Sequence, residues 1–184
     1  MENTITVNGE LFDIYLTEEQ IASRVRQMAE VLNAEYEGKE PVFVGVLNGS
    51  FIFFADLIRH ITIDCEVDFI KLSSYGAEKI SSGKVSILKD LNCEVHERHI
   101  VVVEDIVDSG LSIDFLRKLI LRENPASLSF VTLLMKKEVA KIDFPVQHVG
   151  FDIPAEFVIG YGLDYAQKLR NLRAIYRQRP EAKG

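Results

Sequence analysis

Apolar residues follow two rhythms along this chain. Unbroken aliphatic runs at Val42–Leu47, at residues 100–103 and at Ser127–Met135 predict strands covered on both faces, as in a parallel sheet. Shorter runs at 65–73, 146–151 and 157–159 predict further strands. Between them the spacing becomes helical. Thr17 with Gln20 forms a capping-box signature ahead of Ile21, Val25, Met28, Ala29 and Leu32, and Gly38 to Pro41 breaks that helix. A second helix is expected over 51–61, and a third on Ile113, Leu116, Leu119 and Ile120. The alternation predicts an α/β fold with a doubly wound, mainly parallel sheet and flanking helices. Residues 76–92 turn polar around Gly83 and read as a mobile loop or an edge hairpin. The charged tail from Arg177 is expected to fray. No repeat or linker interrupts the pattern, so residues 1–184 are expected to form a single domain.

Composition narrows the function classes. Hydrophobic residues make up 47% and charged residues 27% of the chain, an ordinary globular balance. A net charge of −7 argues against nucleic acid as a partner. No apolar run reaches membrane-spanning length and no leader pattern opens the chain, so a cytoplasmic protein without a membrane partner is expected. Cys65 and Cys93 lack CxxC spacing, which disfavours zinc and a disulfide framework. His60, His96, His99 and His148 form no metal-ligand spacing and read as structural or exposed. Neither GxGxxG nor GxxxxGK[ST] occurs.

Chemistry concentrates in residues 99–112, HIVVVEDIVDSGLS. Glu104 and Asp105 stand at the carboxyl end of a buried strand, where open α/β sheets bind ligands, and can accept from sugar hydroxyls or face a metal. Asp108 follows one turn later. Ser109, Gly110, Leu111 and Ser112 then form a turn whose amides can converge on an anion at a helix start, a monophosphate cradle without a lysine. Each feature has a plainer reading: a solvated strand end for the carboxylates, and a simple helix cap for Ser112. Likewise, Lys136 and Lys137 could be surface charge and Phe157 core.

The segment from Val102 to Ser112 resembles the phosphoribosyl pyrophosphate binding motif of the type I phosphoribosyltransferases. Leu47-Asn48-Gly49-Ser50, Ser74-Tyr75, Lys136, and Phe157-Val158-Ile159-Gly160-Tyr161-Gly162-Leu163-Asp164-Tyr165 followed by Arg170 are similar in order and spacing to the hypoxanthine-guanine phosphoribosyltransferases, over roughly residues 5–175. The resemblance implies purine salvage: a 6-oxopurine joined to phosphoribosyl pyrophosphate, giving IMP or GMP and pyrophosphate. It also implies a small hood formed by the termini, magnesium as cofactor, and a homodimer or homotetramer.

Carried onto this chain, the resemblance makes Asp108 the general base, with a pKa raised by burial near two other carboxylates. Glu104 and Asp105 would hold the ribose hydroxyls directly or through magnesium. Lys136 would donate to the purine O6, Phe157 would stack on the base, and the Val158 backbone would read its edge. Asp164 would ligate a second magnesium, Arg170 would neutralise pyrophosphate, and Ser74 and Tyr75 would head a closing loop. The amides of Asn48, Gly49 and Ser50 would face pyrophosphate, with a cis or strained Leu47-Asn48 bond. Many relatives carry Lys at the position of Asn48, and some at that of Leu111, which leaves both turns more dependent on amides and on the hydroxyls of Ser109 and Ser112. Two rivals come from other classes. A regulator of the same fold would bind RNA through a basic face, and a flavodoxin-like receiver would use Glu104, Asp105 and Asp108 for magnesium and phosphorylation.

Overall fold

The computed structural model describes residues 3–74 and 85–180. In chain order the elements are β1 (Thr4–Val7), β2 (Glu10–Leu16), α1 (Glu18–Glu35), β3 (Val42–Leu47), α2 (Phe51–Ile58), β4 (Glu66–Ser74), β5 (Val85–Lys89), β6 (His99–Val107), α3 (Leu111–Leu121), β7 (Ser127–Met135), β8 (His148–Asp152), β9 (Val158–Ile159) and β10 (Ile175–Gln178).

The main sheet has the order β5-β4-β3-β6-β7-β8, with the five strands from β4 to β8 parallel and β5 antiparallel at the edge. Strand pleating sorts the apolar runs between two faces. Phe43, Val101, Val103, Val131 and Leu133 pack with the α1 residues Ile21, Val25 and Leu32 and the α2 residues Phe53 and Leu57. Val42, Val44, Val46, Ile100, Val102 and Phe130 pack with Ile113, Leu116 and Ile120 of α3. This double coverage is why the runs lack polar alternation. The Thr17 hydroxyl accepts from the Gln20 amide at 3.3 Å while the Gln20 side chain accepts from the Thr17 amide at 2.9 Å, so the capping box is made.

Both ends of the chain are more ordered than the pattern of residues predicts. Residues 4–16 form a hairpin, β1 against β2, closed by the two-residue Asn8-Gly9 loop. The tail does not fray at Arg177: β10 pairs with β2 and β9, and Arg179 bonds Asp13 at 2.6 and 2.8 Å. These strands make a second sheet, ordered β1-β2-β10-β9, which is the hood built from both termini. Within 76–92, residues 85–89 form an edge strand paired with β4, which is the hairpin alternative, while Tyr75 and Gly83 lie outside the described residues. No helix among the described residues is long and apolar enough to cross a membrane.

Asp68 on β4 pins that edge. Its carboxylate accepts from the amides of Phe69 (2.7 Å), Asn92 (2.6 Å) and Cys93 (2.9 Å) and from Lys89 Nζ (3.2 Å). Burial opposes its ionisation, but the Cys93, Asn92 and Phe69 amides and the Lys89 ammonium outweigh it and hold the carboxyl well below the usual range. Asp68→Asn should therefore cost about 2 kcal/mol of stability at pH 7, since an amide group would face these donors. A depressed folded pKa contributes stability above the unfolded value, so the wild-type advantage in thermal melts should be complete above roughly pH 5 and fade below about pH 4. A variant equally stable at pH 7 would show that these bonds are dispensable.

Candidate active site

The strand order places the crevice. β3 connects through α2 to β4 on one side, and β6 connects through α3 to β7 on the other, so the turns after β3 and β6 diverge at the centre of the sheet. Such a switch point leaves a cleft at the carboxyl ends of the strands. Asn48 and Gly49 follow β3, Glu104 to Asp108 end β6, and Lys136 follows β7, so the structure brings together the groups that sequence reasoning selected.

At the end of β3 the Leu47–Asn48 peptide bond is cis, as expected. Ser50 departs from expectation. It is fully buried, and both its amide (3.3 Å) and its hydroxyl (2.6 Å) donate to the Val46 carbonyl, so it secures the turn instead of facing a ligand. Among the described residues no acceptor meets the Asn48 and Gly49 amides. Gly49 sits directly against Asp105; a Cβ there would fall on the Asp105 carboxylate. Above it, Gly162 has φ +98, and a Cβ on that residue would fall on the Gly49 carbonyl. The Gly49 turn is thus held between the Asp105 carboxylate on β6 and the backbone of the Gly162 loop, an approach that leaves no room for a Cβ on either glycine. The sequence signal for Gly162 was its place in the Gly160-Tyr161-Gly162 pattern, to which no site role had been given.

The turn after β6 has a shape that can receive an anion. Gly110, in the left-handed region, is the N-cap of α3 and has no side chain with which to cap it. Ser112 is therefore not the cap; it lies one residue inside the helix, the Leu111 amide donates only a long bond of 3.5 Å to the Ser109 hydroxyl, and the Ser112 and Ile113 amides have no acceptor among the described residues. A concavity of about 70 Å³ lined by Ile106 to Ile113 lies over them. Leu111 is 42% exposed at its rim.

Burial falls on different carboxylates from those expected. Asp108 is exposed and pairs with Lys136 Nζ at 2.8 Å, so it is not buried among the other carboxylates as expected. Glu104 is buried, and its Oε2 has no hydrogen-bond partner among the described residues. Burial, and then the charge of Asp105, push the Glu104 pKa well above the usual carboxylate range. Asp105, on the cleft floor, is raised to about 6 by burial, against the opposing pull of the Ile106 amide and Arg170. An orphaned buried carboxylate oxygen beside a second reluctant carboxylate suits a hard divalent cation that keeps waters and substrate oxygens as further ligands.

Asp164 lies apart, bonded to Arg170 at 2.7 Å and to the Gln167 amide at 2.8 Å. Among the described residues no three His, Cys, Asp or Glu side chains converge as one metal site. Arg170 also donates to the Gly162 carbonyl at 2.7 Å, tying this pair to the glycine stack. Lys136 is buried, whereas Lys137 turns outward to Asp152. Phe157 is 46% exposed, braced edge-on by Phe12 and Tyr165, with centroids 6.2 and 5.9 Å away. The Gln178 amide donates to the Phe157 carbonyl and Arg177 faces Val158, so antiparallel alternation turns the Val158 amide and carbonyl to the open edge of the hood sheet. Ser74 ends β4; Tyr75 lies outside the described residues. His148 and His99 are structural, meeting Glu35 at 3.1 Å and Ser127 at 2.8 Å. The cleft therefore offers amides for phosphates, carboxylates for hydroxyls or a cation, an acid–base pair in Lys136 and Asp108, and an aromatic face.

A family model described as phosphoribosyl transferase domain matches residues 12–166. The chain is 44% identical over 162 residues to a hypoxanthine-guanine phosphoribosyltransferase of Bacillus subtilis, covering 88% of this chain and 90% of that one. It is 40% identical over 176 residues to the bifunctional protein TilS/HprT of Listeria monocytogenes, where it covers 96% of itself and spans only 27% of that protein. Among solved structures, a hypoxanthine-guanine phosphoribosyltransferase of Bacillus anthracis with a HEPES molecule in its active site superimposes with a TM-score of 0.85 at 45% identity, over 90% of this chain and 97% of that one. A hypoxanthine phosphoribosyltransferase of Staphylococcus aureus gives 0.87 at 38% identity, over 94% of each chain. These relatives lend nothing to the receiver or RNA-regulator alternatives.

Proposed function

This chain belongs to the phosphoribosyl transferase family, and from that premise we propose that it is a hypoxanthine-guanine phosphoribosyltransferase. The observation that carries the reading is the meeting of an open helix N-terminus, the Glu104-Asp105 pair and the Lys136–Asp108 pair in one cleft. The reaction joins a purine ring nitrogen to C1 of the ribose. The C1–O bond to pyrophosphate breaks, its electron pair leaves with pyrophosphate, and the sugar ring carries positive charge in passing.

The chain's own groups suit each part of that event. The 5′-phosphate lies on the open amides of the α3 turn with Ser109 and Ser112 beside it. Glu104 and Asp105 hold the ribose hydroxyls and set negative charge beside the cationic sugar. The Asn48 and Gly49 amides and Arg170 take the pyrophosphate end. Asp108 accepts the proton at purine N7 as the neighbouring nitrogen attacks. Lys136, already bonded to Asp108, reaches O6 and keeps that carboxylate oriented. The Phe157 ring stacks on the base, and the open Val158 carbonyl suits a purine amino group, which favours acceptance of guanine beside hypoxanthine. Magnesium, held by Glu104 and Asp105, with Asp164 on the pyrophosphate side, would neutralise phosphate charge and keep these acids ionised. A cytoplasmic homodimer or homotetramer completes the reading.

The test is a purine panel with phosphoribosyl pyrophosphate, with and without magnesium, following nucleotide formation. Hypoxanthine and guanine should give their monophosphates. Adenine should be at least about a thousandfold poorer in kcat/KM, because its amino group leaves the buried Lys136 ammonium facing a donor. Comparable turnover of adenine, or no nucleotide from either oxopurine, would overturn the assignment.

A further inference from the structure

We propose that Tyr161, held by Asp56, is a positioning residue that sets the geometry of the pyrophosphate end of the cleft; the inference rests on the transferase reading above. The Tyr161 hydroxyl donates to Asp56 Oδ2 at 2.6 Å, joining residues that are 105 positions apart. Asp56 lies on α2, which begins immediately after the Asn48-Gly49-Ser50 turn. Tyr161 is the centre of three successive residues with positive φ, Gly160 at +95, Tyr161 at +50 and Gly162 at +98. A tyrosine in the left-handed region is unfavourable, so its surroundings must impose the conformation. The imposing contacts are its buried ring in the core beneath α1 and α2, its amide bond to the Leu172 carbonyl at 2.8 Å, and the hydroxyl bond to Asp56.

What the brace controls follows from the next residue. Gly162 lies on the Gly49 carbonyl, donates its amide to the Arg170 carbonyl at 2.9 Å, and accepts from the Arg170 side chain at 2.7 Å. Arg170 in turn bonds Asp164. One side chain therefore ties the loop carrying Asp164 and Arg170 to the helix that carries the Gly49 turn. Phe157 and Val158 precede the braced turn and are fixed instead by β10. The purine side should consequently be indifferent to the brace, while the pyrophosphate side should depend on it.

The experiment compares wild type, Tyr161→Phe, Asp56→Ala, Asp56→Asn and the Tyr161→Phe/Asp56→Ala double variant in steady-state kinetics and in calorimetric titration with magnesium pyrophosphate. Tyr161→Phe keeps the core ring and removes only the hydroxyl. It should raise KM for phosphoribosyl pyrophosphate and weaken pyrophosphate binding about tenfold, with KM for hypoxanthine within about twofold. Asp56→Ala should match it, the double variant should be no worse than either single one, and Asp56→Asn, which keeps an acceptor oxygen, should restore most of the affinity. Unchanged pyrophosphate affinity in Tyr161→Phe overturns the brace, as does an equal loss for both substrates that follows thermal stability. The titration needs no turnover. A wild type that binds pyrophosphate yet forms no nucleotide would therefore overturn the transferase reading alone.

Discussion

Gly49→Ala is expected to lower kcat/KM for phosphoribosyl pyrophosphate about a hundredfold or more while leaving the chain folded. The added methyl has no free volume, because its position coincides with the Asp105 carboxylate, and Gly162 closes the other side of the turn through its contact with the Gly49 carbonyl. Either Asp105 leaves the position proposed for the ribose or the turn lifts and takes its open amides out of line. Displacements of an ångström at a reacting centre cost on the order of a hundredfold. The site is at the rim of the sheet, so the overpacking itself should cost only about 1–3 kcal/mol, visible as a lowered melting midpoint with an unchanged circular dichroism spectrum. Asn48→Ala is the matched control, for the Asn48 side chain is exposed, and the variant should stay within about threefold of wild type. A Gly49→Ala protein with near wild-type kinetics would mean that the turn does not touch the sugar donor.

Asp105→Asn should abolish most turnover and, at pH 7, make the protein more stable. The two effects have one cause. Burial raises the Asp105 pKa to about 6 in the folded chain, whereas an unfolded aspartate titrates near 3.9. Between roughly pH 4 and pH 6 the folded state therefore binds more protons than the unfolded one, and stability falls as pH rises through that window. Above it the full cost remains, about 2 kcal/mol after allowing for the residue's partial exposure to the cleft. Asparagine keeps the shape and the acceptor for the Ile106 amide without the charge. Its melting midpoint should exceed wild type by roughly 4–8 °C at pH 7 and converge on it below about pH 4. Turnover should fall about a hundredfold or more, since the ribose loses a charge that matters most as the cation develops. A variant less stable than wild type at pH 7, or one that retains turnover, would contradict the assignment.

Sequence alone determined the layers of the fold, because burial on both faces of a parallel strand leaves a trace that neighbouring residues cannot disguise: unbroken runs such as Val42–Leu47 and Ser127–Met135. It also located the small-residue turn between β6 and α3, since Ser109-Gly110 interrupts two strongly apolar patterns of different period. Local signals overlooked at that level were still local, such as the Asn8-Gly9 loop that closes the first hairpin. The order of strands across the sheet and the return of Arg177 into the hood depend on contacts between distant segments, and no periodicity encodes them. The division of labour among the acids was equally hidden. Asp108 was expected to be buried, yet it is exposed against Lys136, 28 residues away, while Glu104 is sealed with one oxygen lacking a partner among the described residues. Ser50 was expected at the ligand and is spent on the Val46 carbonyl. Desolvation and pairing are properties of a residue's surroundings in space, so a one-dimensional string names the acids and amides of a site without saying which of them the fold leaves free to act.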